Sequence, residues 1–137
     1  SSLVAANHVV IACGGGGIPV LPTGNHHLKG AAAVIDKDFA AELLADSLDA
    51  DYLVILTAVE KVAVNFGKPD QQWLDELTPE TAGKYVSEGQ FAPGSMLPKV
   101  QAAVKFAVSK PGRSALITLL DRAADGIAGK TGTIVRA

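Results

Sequence analysis

The amino-acid sequence predicts an α/β fold: an open, mostly parallel sheet with helices on both faces. Three observations carry that prediction. Short, nearly continuous apolar runs, clearest at Tyr52-Leu53-Val54-Ile55-Leu56, suit strands covered on both sides rather than strands half in water. Between them lie stretches whose apolar residues recur at helical spacing. Gly, Pro, Asn and capping residues mark the joints, so strands and helices alternate.

In chain order, His8-Val9-Val10-Ile11-Ala12-Cys13 reads as a strand buried on both faces, ended by four glycines. Residues 18–22 lead into a turn at Thr23-Gly24-Asn25, and residues 31–35 are expected to return as a strand. After Asp36 the period becomes helical, with Phe39, Leu43, Leu44 and Leu48 on one stripe. Tyr52 to Leu56 is the clearest buried strand, residues 61–65 form a short one, and Gly67-Lys68-Pro69-Asp70 is a loop. Thr78 followed by Pro79 and Glu80 starts a helix, with a hydroxyl to cap and a Pro where no N–H is needed. Residues 95–109 form the next helix, its stripe set by Met96, Val100, Val104, Ala107 and Val108, and Pro111-Gly112 ends it. A strand at 114–119, a short helix at 121–128 and a strand at 133–135 complete the chain. In such sheets ligands collect beyond the carboxyl ends of the strands.

Composition narrows the function classes. At 137 residues the chain amounts to one domain, and with 48% apolar residues and a net charge of −2 it is not disordered. Twelve basic residues against 14 acidic ones, with no basic run, give no electrostatic footprint for nucleic acid. No apolar stretch reaches the roughly 18 residues of a membrane span. The single cysteine, Cys13, makes no internal disulfide and offers no zinc cluster, which fits a reducing, cytoplasmic setting. The first six residues lack the positive start and apolar core of a signal peptide, and the chain does not begin with Met. A piece of something longer is the expectation.

Two motifs bear on chemistry. Gly14-Gly15-Gly16-Gly17 removes every side chain from a stretch of backbone, so amide N–H groups can approach an anion; a tight turn demanded by packing explains it equally well. It is neither a Walker loop, lacking the Lys-Ser/Thr pair, nor a dinucleotide fingerprint, since Pro19 and Pro22 replace the receiving helix. Asp36-Lys37-Asp38 stands where a helix begins, and either aspartate is a natural N-cap. Lys37 fits that account less well, because a cation in a first turn is disfavoured by about 0.3–1 kcal/mol. Lys99, near the start of the helix at 95–109, has the same oddity. Each alone suits a solvated surface, whereas two lysines at helix starts suit a multiply charged phosphate. The histidines His8, His26 and His27 lack metal-ligand spacing, and no metal site is expected. Trp73 and Phe91 read as packing residues.

Val34-Ile35-Asp36-Lys37-Asp38, Gly67-Lys68-Pro69-Asp70-Gln71 and Gln90-Phe91-Ala92-Pro93-Gly94-Ser95-Met96-Leu97-Pro98-Lys99-Val100 resemble carbamate kinases of the amino-acid-kinase superfamily. Gly14 to Val20 and Gly132-Thr133-Ile134 resemble them too, and the succession covers essentially the whole chain. The resemblance implies that residues 1–137 are a single nucleotide-binding domain, the C-terminal half of such an enzyme, with the N-terminal half absent. It further implies that Lys37 and Lys99 neutralise phosphate charge and Asp38 orients them. Gly14, Gly15, Gly16 and Asp36 would border the substrate and phosphate. Thr57, Ala58, Val59, Asn65, Met96 and Leu97 would surround ATP or ADP, with Mg2+ assisting. The whole enzyme would transfer a phosphoryl group between ATP and carbamate, giving ADP and carbamoyl phosphate, often in the direction of ATP. Carbamate already carries a negative oxygen and needs no general base, so positioning and charge stabilisation suffice. The resemblance also implies a cytoplasmic homodimer, and half a reacting centre implies little activity for this chain alone. Relatives usually carry an aromatic residue where this chain has Ala63. A non-catalytic nucleotide-binding or assembly module on the same scaffold is the alternative reading.

Overall fold

Apolar runs and capped helices of the expected kinds assemble into a four-stranded sheet accompanied by two small hairpins. The computed structural model describes residues 2–14 and 16–137. A short helix α1 (Ser2–Ala5) precedes the hairpin β1 (Val20–Gly24) and β2 (His27–Gly30). Helix α2 (Lys37–Ser47) leads to β3 (Tyr52–Thr57), the hairpin β4 (Val62–Val64) and β5 (Gln72–Leu74), and β6 (Glu76–Leu77). Then come α3 (Pro79–Ser87), α4 (Met96–Ser109), β7 (Ser114–Leu119), a 3₁₀ turn, α5 (Ala123–Ile127) and β8 (Thr133–Arg136). The sheet order is β3-β7-β8-β6, parallel between β3 and β7 and between β8 and β6, antiparallel between β7 and β8. Among the described residues no helix is long and apolar enough to cross a membrane.

The core lies where α4 meets the sheet. Val100, Ala103, Phe106 and Ala107 pack with Ile55, Ala115, Ile117 and Val135, all buried. The alanines bring the helix axis close to the strands, and Phe106 fills the deeper space. On the opposite face of β7 stand Leu116 and Thr118, one residue out of step with the first set. Gly126 of α5 closes on them so tightly that a Cβ there would lie 2.9 Å from the Thr118 methyl. Helices therefore cover both faces, as expected. Helix α3 begins as the sequence indicates, with Thr78 and Thr81 forming a reciprocal capping box and Pro79 in the first turn.

Helices α2 and α4 are tied together at two places beyond the core. Lys105 donates to the carboxylate of Glu42 at 2.7 Å, and Arg113 at the end of the α4–β7 turn bridges Asp46 and Asp49. Lys110 also donates to Asp49, and that bond, more than any other cause, holds the Asp49 carboxyl below the usual carboxylate range.

Four expectations about the elements are corrected. His8 to Cys13 forms no strand; Val9 is 98% and Ile11 99% exposed. A doubly covered strand needs neighbours on both sides, and among the described residues no strand pairs with it. Residues 31–35 are irregular rather than a strand, and the returning strand falls earlier, at β2. In α2 most of the expected stripe faces outward: Phe39, Leu43 and Leu48 are exposed and Leu44 is half-buried, whereas Glu42 is 2% exposed against α4. Val108, placed on the α4 stripe, also faces water.

Candidate functional site

The starts of α2 and α4 meet. Asp36 caps α2, one carboxylate oxygen accepting from the N–H groups of Asp38 at 2.8 Å and Phe39 at 3.2 Å. Lys37 follows it and makes no salt bridge among the described residues. Asp38 reaches across to α4, where Lys99 Nζ donates to its two oxygens at 2.9 and 3.2 Å. Both side chains of that pair are about four-fifths buried, 21% and 18% exposed. In α4, Ser95 stands at the N-cap without a side-chain bond, and the first turn holds no acidic residue, so its positive end is unneutralised locally.

Gly16 of the glycine run is brought to the same corner. Gly16 adopts φ +100°, and a Cβ there would lie 3.1 Å from the Ile35 carbonyl oxygen, immediately before Asp36. A larger residue at that position would be pushed off the segment leading into α2. Gly14 is described with φ +38°, while Gly15 lies outside the described residues.

A cavity of about 230 Å³ opens beyond the carboxyl end of β3. Thr57, Ala58 and Val59 line one part, and Ala92, Ser95 and Met96 another. Met96 stands three residues before Lys99 in α4, about 4.5 Å along the helix axis, so the cavity adjoins the ion pair through a single helical turn. Ala63 and Phe66 border it from the β4–β5 hairpin, and Gln90 and Phe91 from the segment before α4. The hairpin is pinned to the sheet by Thr133, which accepts from Val62 N–H at 2.8 Å and donates to the Leu74 carbonyl at 2.6 Å.

The sequence-derived candidates thus fall into two neighbouring groups. Asp36, Lys37, Asp38, Lys99 and Gly16 gather at the helix starts, and Thr57, Ala58, Val59 and Met96 line the cavity. Leu97 does not line it, and Asn65 stands behind the wall, its N–H donating to Gln90 Oε1 at 2.9 Å. Sequence reading missed Phe66 and Gln90 as lining residues. Phe66 packs edge-on to Trp73 with ring centroids 6.1 Å apart, and its 60% exposure beside that pair is a feature of the tertiary structure. Phe91 is a core residue, as expected, and also a wall of the cavity.

This sheet, with paired helix starts beside a cavity at a strand end, defines an open α/β class whose candidate site lies beyond the carboxyl ends of the strands. The profile of the amino acid kinase family matches residues 1–118, and the chain belongs to that family. It is 61% identical over 134 residues to the carbamate kinase-like protein YqeA of Escherichia coli (strain K12), covering 98% of this chain and 43% of that protein. It is 56% identical over 132 residues to the carbamate kinase of Clostridium perfringens (strain 13 / Type A), covering 96% of this chain and 42% of that one. Among solved structures, carbamate kinase from Giardia lamblia bound to AMP-PNP superposes with a TM-score of 0.91 at 42% identity, covering 98% of this chain and 42% of that chain. The chain therefore spans less than half the length of these relatives.

Proposed function

We propose that this chain is the nucleotide-binding, C-terminal portion of a carbamate kinase, an enzyme that exchanges a phosphoryl group between ATP and carbamate. The observation that carries the reading is the Asp38–Lys99 pair joining the starts of α2 and α4, one helical turn from a cavity at a strand end. In this reading ATP or ADP enters the cavity, its base near Val59 and Met96 and its phosphates toward Lys37 and Lys99. Charge spread over the phosphoryl oxygens during transfer is met by two ammonium groups, and Asp38 keeps Lys99 aimed. Gly14, Gly15, Gly16 and Asp36 would border the reacting centre from the α2 side.

Mg2+ fits this arrangement as an ion carried on the nucleotide phosphates, because it is held by one or two carboxylates plus phosphate oxygens rather than by a protein cage. Among the described residues there is no group of three His, Cys, Asp or Glu able to hold a metal alone. Bound there, the ion would neutralise phosphate charge. The complete protein is proposed to be a cytoplasmic homodimer acting on carbamate and carbamoyl phosphate.

Calorimetric titration with ADP, followed by coupled ATP formation from ADP and carbamoyl phosphate, tests the proposal on the chain itself. The expected outcome is ADP binding with little or no turnover. Robust turnover refutes the incompleteness of the reacting centre, and a chain that ignores ADP refutes the nucleotide-binding role.

A further inference from the structure

Gln90 lines the cavity from the segment before α4, and its polarity there is fixed by chemistry. Its side chain meets the backbone N–H of Asn65 at 2.9 Å. A backbone N–H can only donate, so the atom facing Asn65 is the carboxamide oxygen and the NH₂ end is the free one. That NH₂ end donates to no protein group among the described residues. The Asn65 backbone is held at φ +52°, a left-handed conformation, and Gln90 N–H is itself bonded to the Tyr85 carbonyl at 3.0 Å. The carboxamide is thus anchored by its oxygen, with its donors left over.

Of the other lining side chains that carry polar groups, Lys61 shares this one-way character and the hydroxyls do not. Thr57 and Ser95 carry hydroxyls that rotate to donate or accept, and Lys61 is engaged with Asp75 at 2.5 Å. The rest of the wall is apolar, including Ala63, Phe91 and Met96. We propose that Gln90 is a specificity-determining residue that donates a hydrogen bond to an acceptor ring nitrogen of a purine bound in the cavity. The proposal rests on the nucleotide-binding reading above. A purine presents unprotonated ring nitrogens along its edges, and an anchored donor in an apolar wall selects for such an edge over a C–H edge.

The substitution Gln90→Glu separates this role from a structural one, since it keeps an oxygen for Asn65 N–H and removes both donors. Adenosine and ADP are titrated by calorimetry against the parent chain and the variant, and both proteins are melted. The expected result is an unchanged melting midpoint with affinity for both ligands lowered about tenfold. Unchanged adenosine affinity overturns the proposal. So does a loss confined to ADP, which reports repulsion between the new carboxylate and the phosphates. A ligand-side measurement is independent of the variant's folding: 1-deaza-, 3-deaza- and 7-deazaadenosine, each with one ring nitrogen replaced by C–H, are titrated against the parent. One of the three is expected to bind about tenfold more weakly than adenosine, and equal binding of all three overturns the proposal. A parent chain that binds neither adenosine nor ADP overturns the nucleotide-binding reading itself and this inference with it.

Discussion

Lys99 occupies a position that local helix energetics oppose. A cation in the first turn meets the positive end of the dipole at a cost of about 0.3–1 kcal/mol, and the first turn of α4 holds no acidic residue to offset it. The compensating carboxylate comes from Asp38, 61 residues away, at 2.9 Å. That mismatch between a residue and its own helix is why Lys99 stood out in the sequence before any partner was visible. Gln90 gave no such signal, because its partner Asn65 is 25 residues away and a glutamine before a helix is unremarkable on its own. Lys37 and Lys99 in a complete enzyme are expected to act on charge that develops in transfer. Lys99→Met, placed in a full-length protein, is expected to lower kcat about 10²–10³-fold with a smaller change in the KM for ADP. Steady-state ATP formation measures both, and a kcat within a few-fold of the parent would remove Lys99 from the chemistry.

Elements were legible wherever their signals are local. The apolar run of β3, the Thr78-Pro79 start of α3 and the Pro111-Gly112 stop after α4 each act within a few residues, and the structure places all three as read. Elements that depend on a distant neighbour were not legible in that way. Helix α2 has most of its apolar stripe toward water because the partner it meets is α4, whose Lys105 reaches Glu42. The β4–β5 hairpin shows the same dependence, since Thr133 of β8 supplies the bonds that hold it, 71 residues from Val62. Thr133→Val keeps the shape of the side chain and leaves the Val62 N–H without its acceptor. The expected cost is about 1–3 kcal/mol in urea unfolding, because Thr133 is fully buried and water cannot replace it. ADP affinity is expected to fall in the same variant, since the hairpin carries Ala63 and Phe66 to the cavity wall. A stable variant with parental affinity would show that the hairpin is held by other means.

At the scale of the whole molecule, the first third of the chain has apolar surface that nothing among the described residues covers. Val9, Ile11, Ile18 and Val34 are each 86% exposed or more, and Leu21 and Leu28 lie more than half exposed. Fully burying one such aliphatic side chain contributes about 1.5–3 kcal/mol, so the first four alone represent about 6–12 kcal/mol as an upper bound. That is comparable to the entire net stability of an ordinary domain, about 5–15 kcal/mol. The chain spans 42–43% of these relatives' length, and the segment read as a doubly covered strand lies uncovered with an apolar composition. We therefore expect the portion of these relatives that this chain does not span to dock here when supplied as a separate polypeptide. Mixing the two should quench the fluorescence of a hydrophobic dye bound to the chain alone. Amide exchange should slow across residues 8–13, where strand pairing would form, and coupled ATP formation should appear only in the mixture. Docking that leaves residues 8–13 in fast exchange would mean that their apolar side chains are covered by something other than a restored sheet.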